Sequence, residues 1–321
     1  MAGVLVFGEA TQGKLIGITA ELLGAAKRLD QDVSVVLAGQ GLGSAPQEAI
    51  AAGANRVYTA DNPALTNYLT ETYVAVAEAV CKQTSPDIVL MGQTALGRDL
   101  APRLAFRLGV GAAMDCIKLE VRREGLVATR PVYGGNALAE VGFSGKPQIA
   151  TVRAKTQEPL AKDAARKGEV VALNVTLPAT KVTYGQLVRQ EAAGIRLEDA
   201  EVVVGGGRGV GSADGFKMLE ELAKLLKGAV GSTRAAVDNG WRPSEEQIGL
   251  TGKIVAPSLY IAVGLSGSSQ HLAGCAGSKT IVAINKDPEA NIFKAAQLGV
   301  VGDYKQVLPA FLQEAKKLMA G

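Results

Sequence analysis

Between residues 201 and 304 the chain repeatedly leaves a short, wholly apolar run for glycine or a small polar residue. Val202-Val203-Val204 leads into Gly205-Gly206-Gly207-Arg208-Gly209-Val210-Gly211, and Ala229-Val230 leads into Gly231-Ser232-Thr233-Arg234. Further on, an apolar run over 260–263 precedes Ser266-Gly267-Ser268-Ser269-Gln270-His271, and Ala283-Ile284 precedes Asn285-Lys286-Asp287. Continuous apolar runs are the mark of strands covered by helices on both faces. In an open parallel sheet the exits of such strands gather on one edge, and nucleotides bind in the crevice there. The pattern therefore predicts a nucleotide pocket in the carboxy-terminal part of the chain.

The 321 residues suffice for two domains of ordinary size, each with its own core. Hydrophobic residues make up 47% but aromatics only 4%, with 39 glycines, a composition that suits helices packed closely on parallel strands. In the first part, expected strands at 4–7, 33–37, 56–59 and 88–91 alternate with expected helices at 14–28, 47–52, 66–82 and 96–108. Such alternation predicts right-handed crossovers and a mainly parallel α/β sheet with helices on both faces. Beyond Gly111, apolar runs at 116–121, 126–132, 137–141 and 148–152 follow one another with only turns between them, which predicts an antiparallel extension. Residues 160–168 are charged and expected to be exposed, and residues 182–199 are expected to form helical surface or a hinge. The boundaries follow: an N-terminal α/β domain over 1–190 and a Rossmann-like parallel domain over 201–321. In the latter, strands are expected at 202–204, 229–231, 254–255, 260–263, 281–284 and 300–302. Ser212 is expected to cap a helix carrying Phe216, Leu219, Ala223 and Leu226, and Gly228 to end it in the left-handed conformation. Further helices are expected at 291–297 and 304–318.

Several function classes are disfavoured. The net charge of +3 comes from 34 basic and 31 acidic residues that are well mixed, unlike a nucleic-acid surface. Cys81, Cys116 and Cys275 are far apart and form no C-x-x-C pair, so buried fillers are expected rather than metal ligands or disulfides. No apolar run has the roughly 18–20 residues of a membrane span. The amino terminus enters a strand-like run without a basic leader, so a bacterial cytoplasmic location is expected, a processed mitochondrial matrix protein being the alternative.

Each candidate site residue has a plain alternative. The glycine run lacks the G-x-G-x-x-G spacing of NAD sites and could be a tight turn, but Arg208 within it favours an anionic ligand. Arg234 could pair with Asp238 on the surface or stand against a ligand. His271, the single histidine, could be structural or could bind a polar ring edge from the start of a helix. Asn285 and Asp303 could cap turns or read an adenosine. Thr251 lies in the loop Gln247-Ile248-Gly249-Leu250-Thr251-Gly252 and could reach a ligand, and Trp241 before it could simply pack.

In this order the pieces resemble the α subunit of electron transfer flavoprotein. The resemblance rests on Gly205-Gly206-Gly207-Arg208-Gly209, on Ser232-Thr233-Arg234-Ala235-Ala236-Val237-Asp238, on QIGLTGKIVAP over 247–257, and on LYIAVGLSGSSQH over 259–271. It continues through Thr280-Ile281-Val282-Ala283-Ile284-Asn285-Lys286-Asp287. In the first part, Met91-Gly92-Gln93-Thr94, Arg98-Asp99-Leu100-Ala101-Pro102-Arg103 and Arg130-Pro131-Val132-Tyr133-Gly134-Gly135-Asn136-Ala137 also look like the family. The resemblance implies an electron carrier rather than an enzyme with its own substrate. It implies one FAD in the carboxy-terminal domain, and a β-subunit partner that holds AMP and contacts the N-terminal domain. Electrons would come from dehydrogenases such as those acting on acyl-CoA in fatty acid oxidation, and would go singly to a membrane quinone oxidoreductase or another acceptor. By the same resemblance Arg208, Thr233 (often serine in the family), Gln247, Ile248, Gly249, Leu250, Thr251, Ser266, Gly267, Ser268, Ser269, Gln270, His271, Asn285, Asp303 and Tyr304 would line the FAD. Arg234 would lie against the isoalloxazine, Thr251 would reach N5, and His271 would approach the N1–C2=O edge. A guanidinium and an imidazole there would favour an anionic semiquinone.

Two alternatives accompany this expectation. A bifurcating member of the family would pair with a β subunit holding a second FAD. A non-redox nucleotide-binding regulatory module would use the same strand-end pocket without flavin chemistry.

Overall fold

The computed structural model describes residues 3–135, 137–185 and 195–320. By contact the chain separates into two units, Met1–Val132 with Ala137–Leu187, and Tyr133–Asn136 with Val188–Gly321. Both are α/β, with parallel sheets carrying helices on each face.

In the first unit β1 (Val4–Gly8), the short pair β2 (Ala10–Thr11) and β3 (Lys14–Leu15), and α1 (Gly17–Leu29) are followed by β4 (Val33–Gly39), α2 (Ala45–Ala51), β5 (Arg56–Asp61), α3 (Thr70–Thr84), β6 (Ile88–Gly92) and α4 (Ala95–Leu108). Then come β7 (Ala112–Cys116), β8 (Lys118–Arg122), β9 (Gly125–Val132), β10 (Ala137–Val141), β11 (Gln148–Val152) and β12 (Glu169–Ala172). The main sheet has seven strands in the order β12-β5-β4-β1-β6-β11-β7, every pair parallel. Alternation along β1 divides the core. Val4 and Val6 pack with Ile18 and Leu22 of α1, while Leu5 and Phe7 pack with Tyr73 of α3 and Leu100 of α4.

Two expectations for this unit need correction. Only β8, β9 and β10 form the antiparallel extension. Residues 148–152 instead form β11, a parallel strand buried along its whole length between β6 and β7. Its two polar members are satisfied: the Gln148 side-chain Oε1 accepts from the Leu126 amide at 2.9 Å, and the Thr151 hydroxyl accepts from the Asp115 amide at 2.8 Å. The edge strand β12 was not expected, because its residues are mostly exposed and only pair with β5.

The second unit contains β13 (Val202–Gly206), α5 (Phe216–Leu225), β14 (Ala229–Ser232), α6 (Arg234–Asp238), β15 (Leu259–Val263), α7 (Ser269–Cys275), β16 (Thr280–Asn285), α8 (Ile292–Ala295), β17 (Leu298–Val301) and α9 (Tyr304–Ala320). Its sheet runs β14-β13-β15-β16-β17, all parallel. Val203, Tyr260 and Ala283 face one core with Cys275 and Ile292, and Val204, Ile261 and Ile284 face another with Phe216, Leu219 and Leu308. Residues 254–255, expected as a strand, are irregular. The β-branched pair there lies within the connection to β15 and has no strand partner. The Ser212 hydroxyl accepts from the Gly215 amide at 3.2 Å, within the turn before α5, while Gly215 itself occupies the cap. Past α5 the left-handed residue is Lys227, with φ 51°. Gly228 is required for a different reason, since a Cβ there would stand 2.4 Å from the Val202 carbonyl oxygen. Of the expected surface or hinge at 182–199, residues 186–194 lie outside the described residues.

Candidate functional site

The order of the second sheet fixes where a ligand can bind. From β13 the chain crosses through α5 to β14 on one side, and then places β15 on the other side of β13. In open α/β sheets such a reversal marks the place where ligands bind, outside the carboxyl ends of the strands on either side of it, here β13 and β15. The loops leaving these two strands touch backbone to backbone. The Gly207 amide donates to the Val263 carbonyl at 3.0 Å, and the Gly209 amide donates to the Gly264 carbonyl at 2.8 Å.

The glycines of 205–209 answer mainly to packing. A Cβ at Gly205 would stand 2.0 Å from the Tyr260 hydroxyl, at Gly206 2.4 Å from the Phe216 ring, at Gly207 2.5 Å from Leu265 Cα, and at Gly209 2.6 Å from the Gly264 carbonyl oxygen. None of the four has positive φ, so neither a plain tight turn nor ligand approach is needed to explain them. Gly211 differs, with φ 85° and open space around it. Arg208 sits between these positions, exposed and without an ion pair among the described residues. Tyr304, buried at the start of α9, donates its hydroxyl to the Val210 carbonyl at 2.9 Å and so holds this turn from below.

At the end of β14, Thr233 and Arg234 open α6. The Thr233 hydroxyl is buried and has no hydrogen-bond partner among the described residues. The Arg234 side chain is 71% exposed, with Nε 3.5 Å from the Asp238 carboxylate. The surface pair is therefore present, but exposed pairs of this kind are weak and leave the guanidinium available. The loop from Gln247 to Lys253 closes on itself through the Lys253 amide and Gln247 carbonyl at 2.7 Å. Gln247 Nε2 donates to the exposed Thr251 hydroxyl at 3.0 Å, and Leu250 is half-exposed beside it. The same loop is fastened to α7: the Leu250 amide donates to the Gln270 carbonyl at 2.8 Å, and a Cβ at Gly249 would crowd that carbonyl at 2.9 Å.

After β15, Ser266 and Ser268 are exposed, while Gly267 turns left-handed with φ 77° against the Ile292 backbone. Ser268 caps α7, where Ser269 and Gln270 are the first two residues. Asn285 and Asp303 serve local turns. Asn285 Nδ2 donates to the Leu265 carbonyl at 2.9 Å and its Oδ1 accepts from Asp287, whereas Asp303 Oδ1 accepts from the Lys305 amide at the start of α9. Asn285 thereby holds the loop after β15 rather than standing free.

His271 makes its ring contacts within the unit. Its ring is buried, with Nδ1 3.1 Å from the Ile248 carbonyl oxygen and Nε2 2.8 Å from the Tyr260 hydroxyl. A carbonyl only accepts, so Nδ1 carries the proton and Nε2 accepts from Tyr260. Burial lowers the ring's pKa to about 4, against a smaller opposing effect of the Ile248 bond. The imidazole is thus neutral at physiological pH, and the permanent positive groups among the candidates are the guanidiniums of Arg208 and Arg234. Tyr260, which the sequence presents only as one member of an apolar run, belongs to this constellation. Trp241 packs against the core that contains Phe216. All three cysteines are buried, and burial pushes each thiol up to about 12.

The unit is a Rossmann-like domain with a cationic, hydroxyl-bearing edge at its switch point, the class that binds nucleotides. Residues 4–178 match the sequence model described as the electron transfer flavoprotein domain, and residues 196–276 match the electron transfer flavoprotein FAD-binding domain. Electron transfer flavoprotein subunit alpha of Thermoanaerobacterium thermosaccharolyticum is 43% identical over 98% of this chain and 98% of its own. The subunit of the same name from Bacillus subtilis is 43% identical over 98% of each chain, and that from Mycobacterium tuberculosis is 42% identical over the whole of both. This chain belongs to the electron transfer flavoprotein family, as an α subunit. No described helix is long and apolar enough to cross a membrane.

Proposed function

We propose that the second unit binds FAD at the carboxyl edge of its sheet, as the α subunit of a heterodimeric electron carrier. The observation that carries this reading is the buried Thr233 hydroxyl. An unsatisfied buried hydroxyl costs about 1–3 kcal/mol, and a ligand oxygen or nitrogen at the switch point would remove that cost. Bound FAD supplies a ring that takes and releases electrons one at a time. Arg208 and Arg234 would balance its negative charge. The backbone of 264–268 and the hydroxyls of Ser266 and Ser268 would hold its polar parts, and the Thr251 loop would orient the ring. Asn285, Asp303 and Tyr304 would act on the ligand chiefly through the loops they hold. The first unit would contact the β subunit, the AMP carrier, in the bacterial cytoplasm. Dehydrogenases, including those of fatty acid oxidation, would donate electrons, and a quinone oxidoreductase or comparable acceptor would receive them. Thr233→Val tests the site: FAD content should fall several-fold while stability of the flavin-free chain is kept or raised. Unchanged FAD content would refute it. Counting flavins per heterodimer separates one FAD from the two of a bifurcating assembly.

A further inference from the structure

The first sheet reverses as the second does. From β1 the chain crosses through α1 to β4 on one side, and later places β6 on the other side of β1. The carboxyl ends of β1 and β6 are therefore a second switch point, the kind of place where open α/β sheets take ligands. The backbone comes close here: a Cβ at Gly97, in the first turn of α4, would stand 1.9 Å from the Gly92 carbonyl oxygen at the end of β6. Unlike the other switch point, this one is spanned by a side chain. Glu9 follows β1 and reaches across, its Oε1 accepting from the Thr94 hydroxyl at 2.7 Å and lying 3.2 Å from where a Gly92 Cβ would be. Thr94 caps α4, and its oxygen accepts from the Gly97 amide at 3.1 Å. The fully buried Thr19 fixes the Glu9 backbone, its hydroxyl accepting from the amide at 2.8 Å and donating to the carbonyl at 3.0 Å. In the second unit, the loops leaving β13 and β15 are hydrogen-bonded to each other by backbone alone among the described residues, and the Thr233 hydroxyl finds no partner there. Burial raises the Glu9 pKa, with the Thr94 bond opposing, so a carboxyl here costs the fold more than an apolar side chain would. Stability alone does not call for it.

We propose that Glu9 is the built-in occupant of the first switch point: its carboxyl holds the place at which an acidic group of a ligand would meet Thr94 and the start of α4, and so closes the first sheet to nucleotides. The closure needs nothing from the flavin reading of the second unit and stands if that reading falls. Which sheet takes a ligand is then decided by which one lacks such a side chain. Glu9→Ala removes the carboxyl and leaves the Thr94 hydroxyl without its acceptor, in a recess of the size of a small carboxylate. Glu9→Gln keeps an oxygen on Thr94 and keeps the place filled.

The full chain is compared with Glu9→Ala, Glu9→Gln and the double variant Glu9→Ala/Thr94→Val by calorimetry, in acetate against chloride at equal ionic strength. Acetate tenfold above its dissociation constant should raise the unfolding midpoint of Glu9→Ala by about 3–6 °C. It should leave the parent, Glu9→Gln and the double variant where they are. No rise in Glu9→Ala, or an equal rise in the parent or the double variant, would overturn the proposal. Hydrogen exchange in the unaltered chain tests the closure even where Glu9→Ala does not fold. With excess FAD or inorganic phosphate, the amides of residues 92–97 should exchange at unchanged rates, and protection there would show the first switch point open and overturn the proposal. Protection over residues 264–268 on adding FAD reports on the second unit separately. Its absence would remove the flavin reading and leave the role of Glu9 intact.

Discussion

Acid should weaken the second unit through one side chain. His271 accepts a proton in the unfolded chain near its ordinary pKa of 6.5, whereas burial delays protonation in the folded chain to about 4. The folded state therefore has its full stability above pH 6.5, loses it as pH falls through that value, and loses no more below about 4. At about 1.4 kcal/mol per pKa unit the whole loss is about 3 kcal/mol, of which about 2 kcal/mol falls between pH 7 and pH 5. The other titratable groups packed on the ring do not interfere in this range, because burial raises both Tyr260 and Cys275 and keeps them neutral. His271→Gln retains a donor and an acceptor but does not titrate, so it serves as the reference. Trp241 is the only tryptophan and lies against the core of this unit, so its fluorescence during urea unfolding reports on the right domain. Between pH 7 and pH 5 the parent should lose about 2 kcal/mol more than His271→Gln. Parallel losses would show that the ring is not buried neutral as described, whatever the carboxylates contribute to both chains.

Three further outcomes follow from the geometry. Arg234→Ala should leave thermal stability within about 0.5 kcal/mol, since its pair with Asp238 is exposed, yet lower the flavin reduction potential; an unchanged potential would remove Arg234 from the site. Gly205→Ala should cost about 1–3 kcal/mol by overpacking against the Tyr260 hydroxyl, and Tyr260→Phe in the same chain should recover part of that. Additive losses in urea unfolding would deny the contact. Gly267→Ala should destabilise through both its positive φ and the Ile292 backbone 2.3 Å from the new Cβ, which an unchanged melting midpoint would contradict.

The sequence discloses most strands because their apolar runs are continuous, and it discloses where the second sheet ends because glycine and serine follow each run. It discloses β11 as a strand but not how that strand pairs. Gln148-Ile149-Ala150-Thr151-Val152 looks local after a hairpin, yet its partners β6 and β7 are set by pairing far along the chain, and no short-range signal carries that. Residues 254–255 show the converse, strand-like chemistry without a neighbour to pair with. At the site, Arg208, Thr233 and Arg234 are visible as polar residues at strand exits. The Tyr260–His271 bond is not, because one member sits inside a strand and the other inside a helix. Only the turn of the chain between them brings hydroxyl and imidazole together.

Packing and binding are linked in the glycine run. Gly205 and Gly206 admit the Tyr260 hydroxyl and the Phe216 ring, while Gly207 and Gly209 let the loop after β13 lie on the backbone of Leu265 and Gly264. The crevice is therefore shaped from behind, by what these residues lack, before any ligand arrives. Substitution within the run should divide by direction. Gly207→Ala should lower stability first and ligand affinity as a consequence, because its Cβ would press on Leu265. Arg208→Ala, on an exposed side chain with no ion pair among the described residues, should lower affinity with stability kept. If Arg208→Ala instead unfolded the domain while FAD content per folded chain stayed constant, the guanidinium would be a structural group, and the charge facing the ligand would have to come from Arg234 alone.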